Sequence, residues 1–130
     1  MMQPTIPYLV FPGKCREAMA FYRQLFNGKI TTMQTFGESP MEAPAECTDL
    51  IFNSELQAGS LVIKASDNLP DYQTNPGNNI SLYVTFPDQK SQQSCFDKMA
   101  EEGKVLFPIS SGFGMIRDQY EVQWMLVFKG

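Results

Sequence analysis

The hydrophobic and polar positions of this chain follow one pattern twice. Residues 5–11 are rich in residue types that suit a pleated, partly buried surface, and they predict a strand. The apolar residues that follow recur at spacings of three and four, which places them on one face of a helix. This helical stripe consists of Ala18, Phe21, Tyr22, Leu25 and Phe26.

Three more strands are predicted in the first half of the chain. The helix should end at the residue types that tolerate a left-handed turn, Asn27 and Gly28. A strand is then predicted over residues 29–36, with Ile30, Thr32, Gln34 and Phe36 sharing one face. Two further strands are predicted at residues 48–56 and 60–66, joined as a hairpin.

The second half of the chain shows the same order of elements. Residues 80–86 predict a strand, and Asp88 is a favourable N-cap for a helix that runs through Glu102. The buried stripe of that helix is expected to contain Cys95, Phe96, Met99 and Ala100. Further strands are predicted at residues 104–109, 114–117 and 122–129.

An internal repeat relates the two halves. When the sequence is shifted by 75 positions, residues 6–30 align without a gap on residues 81–105. Tyrosines, an apolar strand, a helix-core phenylalanine and a glycine after the helix coincide, so each half is predicted to be one βαβββ unit. The matched pairs include Tyr8 with Tyr83, Phe21 with Phe96, and Gly28 with Gly103.

The repeat predicts an α+β fold in which two tandem βαβββ units form curled mixed sheets around a cavity. We expect one domain over residues 1–130, because the chain is too short for a second independent core. Within it, the first unit should span residues 1–66 and the second residues 80–130, with a loop-rich connector at 67–79. A ligand is expected in the cavity where the two units face each other.

Composition and charge exclude several classes of partner. The hydrophobic fraction is 43% and the charged fraction 18%, as in an ordinary globular protein. The formal net charge of −4 and the scattered Lys and Arg residues argue against nucleic acid and anionic membrane surfaces. No apolar run approaches the ~18 residues of a spanning helix, and no secretory signal is recognised. These features predict a cytoplasmic protein.

The cysteines and the missing histidine restrict the chemistry further. Cys15, Cys47 and Cys95 are widely spaced and odd in number, so reduced cysteines are expected rather than disulfides or a zinc site. A nucleophilic cysteine normally needs a histidine base, and the chain contains no histidine.

Three stretches resemble a known family. They are PYLVFPGKCREAMAFYRQLFNGKI at residues 7–30, SELQAGSLVIKASD at 54–67 and FGMIRDQYEVQWML at 113–126. At this spacing the chain resembles the PhnB-like branch of the vicinal oxygen chelate superfamily, which includes glyoxalases, bleomycin-resistance proteins and dioxygenases. The resemblance implies the paired βαβββ fold and a homodimer.

The metalloenzymes of that superfamily hold a divalent ion with one side chain each from the first, fourth, fifth and eighth strands. The resemblance carries these positions to Pro7, a residue near Ile63 or Ala65, Ser81 and Met125. None of these is a credible ligand for such an ion. The expectation is therefore a protein without the metal tetrad and without a cofactor.

Two other features of the branch are altered or unsupported here. A histidine that the branch often carries in its third strand is replaced by Asn53, which cannot move a proton near neutral pH. The branch is also described as a demethylubiquinone methyltransferase, but the glycines of this chain do not form the Gly-rich strand-to-helix turn of a nucleotide-type site. The sequence therefore gives that activity no support.

Six residues are candidates for contact with a small-molecule ligand. The aromatic residues suit a planar or amphipathic molecule, although packing in the core is the alternative for each of them. Arg117 could hold an anion or form a structural ion pair, and Asn53 could be an ordinary polar residue at a strand edge. The set is Tyr8, Asn53, Ser81, Tyr83, Arg117 and Trp124.

Three functions remain open. The first is a binding protein that sequesters or senses a small molecule between its units, and the sequence favours it. The second is an enzyme of the superfamily that uses an unusual oxygen-ligated metal or carboxylates such as Glu55, Asp67 or Asp118. The third is a domain kept mainly for dimerisation.

Overall fold

The computed structural model describes residues 2–130, and the chain divides into two compact units. The first unit ends at Thr74 and the second extends from Asn75 to Gly130. The division lies inside the segment that was predicted as a connector, residues 67–79.

The first unit contains four strands and one long helix. In chain order they are β1 (Tyr8–Phe11), α1 (Cys15–Leu25), β2 (Lys29–Thr35), β3 (Ile51–Ala58) and β4 (Leu61–Asp67). A short 3-10 helix also lies in this unit, at Ala45–Cys47. The strands form one sheet in the order β1-β4-β3-β2, in which β1 is parallel to β4 and the other pairs are antiparallel.

The second unit repeats this topology. Its elements are β5 (Leu82–Thr85), α2 (Gln89–Ala100), β6 (Lys104–Ser110), β7 (Phe113–Arg117) and β8 (Gln123–Val127). The sheet order is β5-β8-β7-β6, again with one parallel pair, β5 with β8. The predicted fold class, an α+β protein with two βαβββ units, is therefore confirmed, while several predicted strands extend beyond the observed ones.

Each helix covers one face of the sheet in its own unit. In the first unit Met19 and Tyr22 of α1 are completely buried, as are Leu56 of β3 and Ile63 of β4. In the second unit the buried helix residues are Gln92, Cys95, Phe96 and Met99, and the buried strand residues include Ile116, Trp124 and Leu126. The 3.6-residue period of the helices and the two-residue period of the strands together select these side chains.

Because of a β-bulge, the alternation of side chains along β2 differs from the predicted one. Ile30 pairs with Leu56, whose side chain is buried on the helix side, whereas Thr32 pairs with the next strand residue, Glu55. Ile30 and Thr32 therefore lie on opposite faces, although the sequence predicted one shared face. The extra residue, Thr31, shifts the register by one position and so reverses the faces beyond it.

The repeated glycines, Gly28 and Gly103, are needed where the chain passes close to a neighbouring strand. A Cβ at Gly28 would lie 2.8 Å from the carbonyl oxygen of Gln57, and one at Gly103 would lie 2.5 Å from that of Arg117. The left-handed turn after α1 is made by Asn27, with φ of 52°. The glycines are thus explained by close backbone approach rather than by a positive φ.

The two helices begin in different ways. The side chain of Asp88 accepts a 2.6 Å hydrogen bond from the backbone N–H of Ser91, as its N-cap position predicts. Lys14 makes no side-chain cap at the start of α1. There, the N–H of Cys15 donates instead to Asp67 Oδ1 at 2.8 Å, across a sequence separation that no local motif indicates.

Candidate functional site

The face of each sheet that its helix leaves uncovered is called here the open face of that unit. Side chains alternate along a strand, so the neighbours of buried residues project to the open face. In the first unit Ser54 and Ala65 are paired and buried on the helix side, and Glu55 and Lys64 are paired on the open face. Tyr8 lies opposite Lys64 on β1 and is 49% exposed.

The open face of the first unit carries a polar cluster centred on Glu55. Its Oε2 accepts hydrogen bonds from the Thr31 hydroxyl at 2.8 Å and from Gln57 Nε2 at 2.9 Å. Lys64 Nζ lies 3.7 Å from Glu55 Oε1. The Thr31 hydroxyl is the main cause that lowers the pKa of Glu55, followed by Gln57 and then the charge of Lys64. Glu55 therefore remains a carboxylate at neutral pH, which makes it a weak general base.

The open face of the second unit is divided into two parallel rows. The first, called the apolar row, crosses all four strands because their pairing places Met115 and Met125 side by side between two aromatic residues. It consists of Tyr83, Met125, Met115 and Phe107. The second, called the polar row, lies two residues further along β7 and β8 and, because of the register shift, three residues further along β6. It consists of Gln123, Arg117 and Lys104.

Hydrogen bonds hold Arg117 and Gln123 of the polar row in place. Arg117 Nη2 donates to Gln123 Oε1 at 3.1 Å and to the carbonyl of Gly77 at 2.9 Å. Gln123 Nε2 in turn donates to the hydroxyl of Ser81 at 2.8 Å. Arg117 Nη1 lies 3.2 Å from the Glu121 carboxylate, which is largely exposed. Ser81 and Arg117, both predicted as ligand contacts, thus belong to one network.

A cleft of about 820 Å³ lies against these rows, within the second unit. Its wall combines part of the apolar row with the whole polar row. The residues concerned are Phe107, Met115, Lys104, Arg117 and Gln123. Acidic residues line the same cleft, namely Glu102, Asp118 and Glu121.

The predicted ligand residues are distributed over both units. Tyr8 lies on the open face of the first unit, and so does Asn53, which pairs with Gln34. Tyr83, 54% exposed, lies on the open face of the second unit. The remaining two that reach an open face, Ser81 and Arg117, belong to the network of the polar row.

The prediction that Trp124 contacts a ligand is wrong. It is 0% exposed and pairs with Leu82 and Ile116 on the helix side of the sheet. Its indole N–H donates to Asp118 Oδ2 at 2.8 Å in the buried layer. Trp124 therefore acts in the core, because the strand alternation turns it away from the open face, which receives the adjacent Met125.

Sequence reasoning missed Lys104, Phe107, Met115 and Gln123. The alternation in the segment QWML could have placed Gln123 and Met125 on one face. The alignment of Met115 with Phe107 depends on a register shift in β6, between Val105 and Phe107, that the sequence does not signal.

The two buried carboxylates bind backbone N–H groups. Asp67 is 5% exposed and accepts from the N–H of Cys15 at 2.8 Å and from that of Ile51 at 2.9 Å. Asp118 is 2% exposed and, besides Trp124, accepts from the N–H of Tyr120 and of Val122. Both carboxylates thus connect separate segments of their own unit.

The fourth-strand position that the resemblance assigned to a metal ligand carries no metal-binding side chain. Ile63 and Ala65 are 0% exposed on the helix side, and Lys64 between them projects to the open face. Within residues 2–130, no group of three or more His, Cys, Asp or Glu side chains could hold a metal ion. No helix in that same part of the chain is long and apolar enough to cross a membrane.

Comparison with known proteins identifies the family. A family model described as 3-demethylubiquinone-9 3-methyltransferase matches residues 3–127. The chain is similar to the solved structure of PA1353 from Pseudomonas aeruginosa, with 33% identity over 98% of both chains and a TM-score of 0.87. It is also similar to the PhnB protein from Bacillus cereus, with 26% identity over 98% of this chain and 100% of that one and a TM-score of 0.79.

A more distant structure shows the fold alone. It is the genomically encoded fosfomycin resistance protein FosX from Listeria monocytogenes, at 8% identity over 100% of this chain and 93% of that one, with a TM-score of 0.69. The repeated βαβββ topology agrees with this likeness. The chain thus belongs to the family described as 3-demethylubiquinone-9 3-methyltransferase, the PhnB-like branch of the vicinal oxygen chelate superfamily.

Proposed function

We propose that this protein binds a small amphipathic molecule on its open sheet faces and does so without a divalent metal ion. The observation that carries the proposal is the apolar row of the second unit. Its two terminal aromatic residues, Tyr83 and Phe107, are 54% and 58% exposed. An aligned set of exposed aromatic and half-buried methionine side chains is typical of a surface that receives an apolar ligand.

The chemistry of the implied metal positions supports binding without a metal ion. A divalent cation in proteins prefers carboxylate, imidazole and amide ligands. The open-face side chains nearest these positions are Tyr8, Lys64, Tyr83 and Met125, and the ammonium of Lys64 would repel a cation. Its partner Glu55 is already engaged by Thr31 and Gln57.

The contacts of the carboxylates support binding over acid–base catalysis. Asp67 and Asp118 each accept backbone N–H groups in buried positions. Glu55 has a lowered pKa, the opposite of the change that would make a carboxylate a proton donor near neutral pH. The methyl transfer in the family description requires a methyl donor, and the proposal assigns no residue of this chain to such a donor.

The proposal places the protein in the cytoplasm as a homodimer. Its three cysteines are free and buried, which suits a reducing compartment. The homodimer is an expectation from the family and is measurable by light scattering of the untagged protein.

The binding function is tested with Nile red, an uncharged and flat fluorescent dye, added to untagged protein in the presence of EDTA. We expect the wild type to enhance the dye fluorescence in a saturable way. In Y83A and F107A the affinity for the dye should fall at least fivefold, since each variant lacks a large apolar contact. The matched control is Tyr72→Ala, which removes another exposed aromatic, 68% exposed, that lies outside the apolar row.

Two results would contradict the proposal. One is enhancement that is the same in the wild type and in all three variants. The other is ligand binding that appears only after Mn²⁺, Ni²⁺ or Mg²⁺ is added, together with calorimetric binding of that ion at one per chain. Either result would favour the alternative, an enzyme with an oxygen-ligated metal.

A further inference from the structure

We infer that the cleft of the second unit takes a ligand with a flat apolar body and a carboxylate group, bound by Lys104 and Arg117. The inference rests on the proposed binding function and names the ligand class of the open face. It is carried by the two parallel rows that form the wall of the cleft, one apolar and one cationic.

The spacing of the rows fits such a molecule. The polar row lies two residues from the apolar row along β7 and β8. At about 3.4 Å per residue in an antiparallel strand, the rows are about 7 Å apart. A bicyclic aromatic carboxylate has this extent, so its rings can lie on Met115 and Phe107 while its carboxylate reaches the polar row.

Two cationic side chains are available beside each other. Lys104 and Arg117 are paired in register on β6 and β7 and both line the cleft. None of the ion pairs found among residues 2–130 involves Lys104. The guanidinium of Arg117 is oriented by Gln123 and by the carbonyl of Gly77, which lowers the conformational cost of holding an anion.

The carboxylate of Glu121 occupies the position that a ligand carboxylate would take on Arg117. It lies 3.2 Å from Nη1, and its side chain is 58% exposed. An exposed pair of this kind contributes little to stability, so a ligand can replace it at small cost. The charge of Asp118 is already met by backbone N–H donors and the Trp124 indole, which leaves Glu102 as the other carboxylate along the cleft.

Three naphthalene probes test the sign of the preferred charge. They are 2-naphthoate, uncharged 2-naphthalenemethanol and cationic 2-naphthylmethylammonium. The readout is NMR of protein labelled with ¹³C in the methionine methyl groups, where Met115 and Met125 report on the open face. Met19 of α1 and Met99 of α2, both buried between helix and sheet, serve as internal controls. We expect naphthoate to shift the Met115 and Met125 signals at the lowest concentration of the three probes.

Charge variants assign the contact. In Lys104→Gln the affinity for naphthoate should fall about fivefold while that for the alcohol is unchanged. The matched control is Lys29→Gln, because Lys29 occupies the repeat-equivalent position in the first unit, directly after Gly28. In Glu121→Gln the competing carboxylate is gone, and naphthoate should bind about threefold more tightly.

The outcomes separate the two proposals. If naphthoate and the alcohol bind with equal affinity and K104Q has no effect, the inference is wrong although the binding function stands. Preference for the ammonium probe would likewise overturn it and assign the cleft to Glu102 and Glu121. If naphthoate shifts neither the Met115 nor the Met125 signal, the inference also fails. The Nile red titration then decides whether the proposed binding function stands.

Discussion

Trp124 Nε1 donates a 2.8 Å hydrogen bond to Asp118 Oδ2 in the buried layer of the second unit. The same carboxylate accepts the backbone N–H of Tyr120 at 2.8 Å and that of Val122 at 3.1 Å. One side chain thus closes the turn between β7 and β8 and attaches it to the core. The chain uses its single tryptophan for this purpose rather than for ligand contact.

Replacing Asp118 should destabilise the second unit. In Asp118→Asn one acceptor oxygen becomes an NH₂ group facing N–H donors, and we expect a loss of about 2–3 kcal/mol in the free energy of unfolding. Urea unfolding followed by the fluorescence of Trp124 measures this loss. The control is Asp97→Asn on the exposed side of α2, expected within about 0.5 kcal/mol of the wild type. Equal midpoints for both variants would contradict the role given to Asp118.

The repeat-related glycines should respond alike to alanine. In Gly28→Ala and Gly103→Ala the new methyl group would meet a backbone carbonyl at 2.8 and 2.5 Å, so the strands must move apart. We expect each change to cost about 1–3 kcal/mol, measured by chemical unfolding. Gly77→Ala is the matched control because its nearest contact, Asn79, is at an ordinary 3.5 Å. A cost at Gly77 equal to the other two would refute the close-approach explanation.

The titration of Glu55 should follow its hydrogen bond to Thr31. The pKa of this carboxyl is lowered from the usual 4.5, so its contribution to stability is present above the unfolded-state pKa and is lost as the pH falls through the folded-state pKa. Carboxyl ¹³C NMR should show the pKa of Glu55 rising towards 4.5 in Thr31→Val. Thr48→Val removes the hydroxyl of another exposed threonine in this unit, one that donates to the carbonyl of Ala45, and should leave the titration unchanged. A rise of equal size in both variants would contradict the assignment.

The cysteines should be unreactive in the folded protein. Burial raises the pKa of Cys15 to about 12 and that of Cys95 to about 12, and it also raises the pKa of Cys47. At pH 8 we expect alkylation of Cys15 and Cys95 by iodoacetamide to be about a thousandfold slower than for a free thiol, because only the thiolate reacts. Mass spectrometry after labelling with and without urea compares the two states. Rapid labelling of Cys15 or Cys95 without urea would show that the thiols are accessible.

Local sequence signals predicted much of the fold. The α1 helix and the Asp88 cap of α2 depend on residues within a few positions of each other, and both are observed. Of the predicted α1 stripe, Ala18 and Tyr22 are buried, whereas the other three residues are only half-buried. The repeat predicted the second unit from the first, because two similar segments bury similar faces. The glycine after each helix was also placed correctly, although its physical reason, contact with a neighbouring strand, was not apparent.

The candidate site was predicted only in part. Tyr8 and Tyr83 lie on open faces as edge-strand aromatics, and Ser81 and Arg117 lie in one network. Trp124 was assigned to the wrong face because alternation alone does not say which of two adjacent residues faces the helix.

The sequence by itself determined the order of elements, the duplication of the unit and the residue types available for chemistry, because these depend on short-range periodicity and composition. Tertiary structure decided the register between strands, and with it which side chains share a face. The bulge at Thr31, the capping of α1 by Asp67 and the alignment of Met115 with Phe107 all depend on contacts between strands and loops distant in sequence. Such contacts form only when the sheet assembles, so no local sequence pattern predicts them.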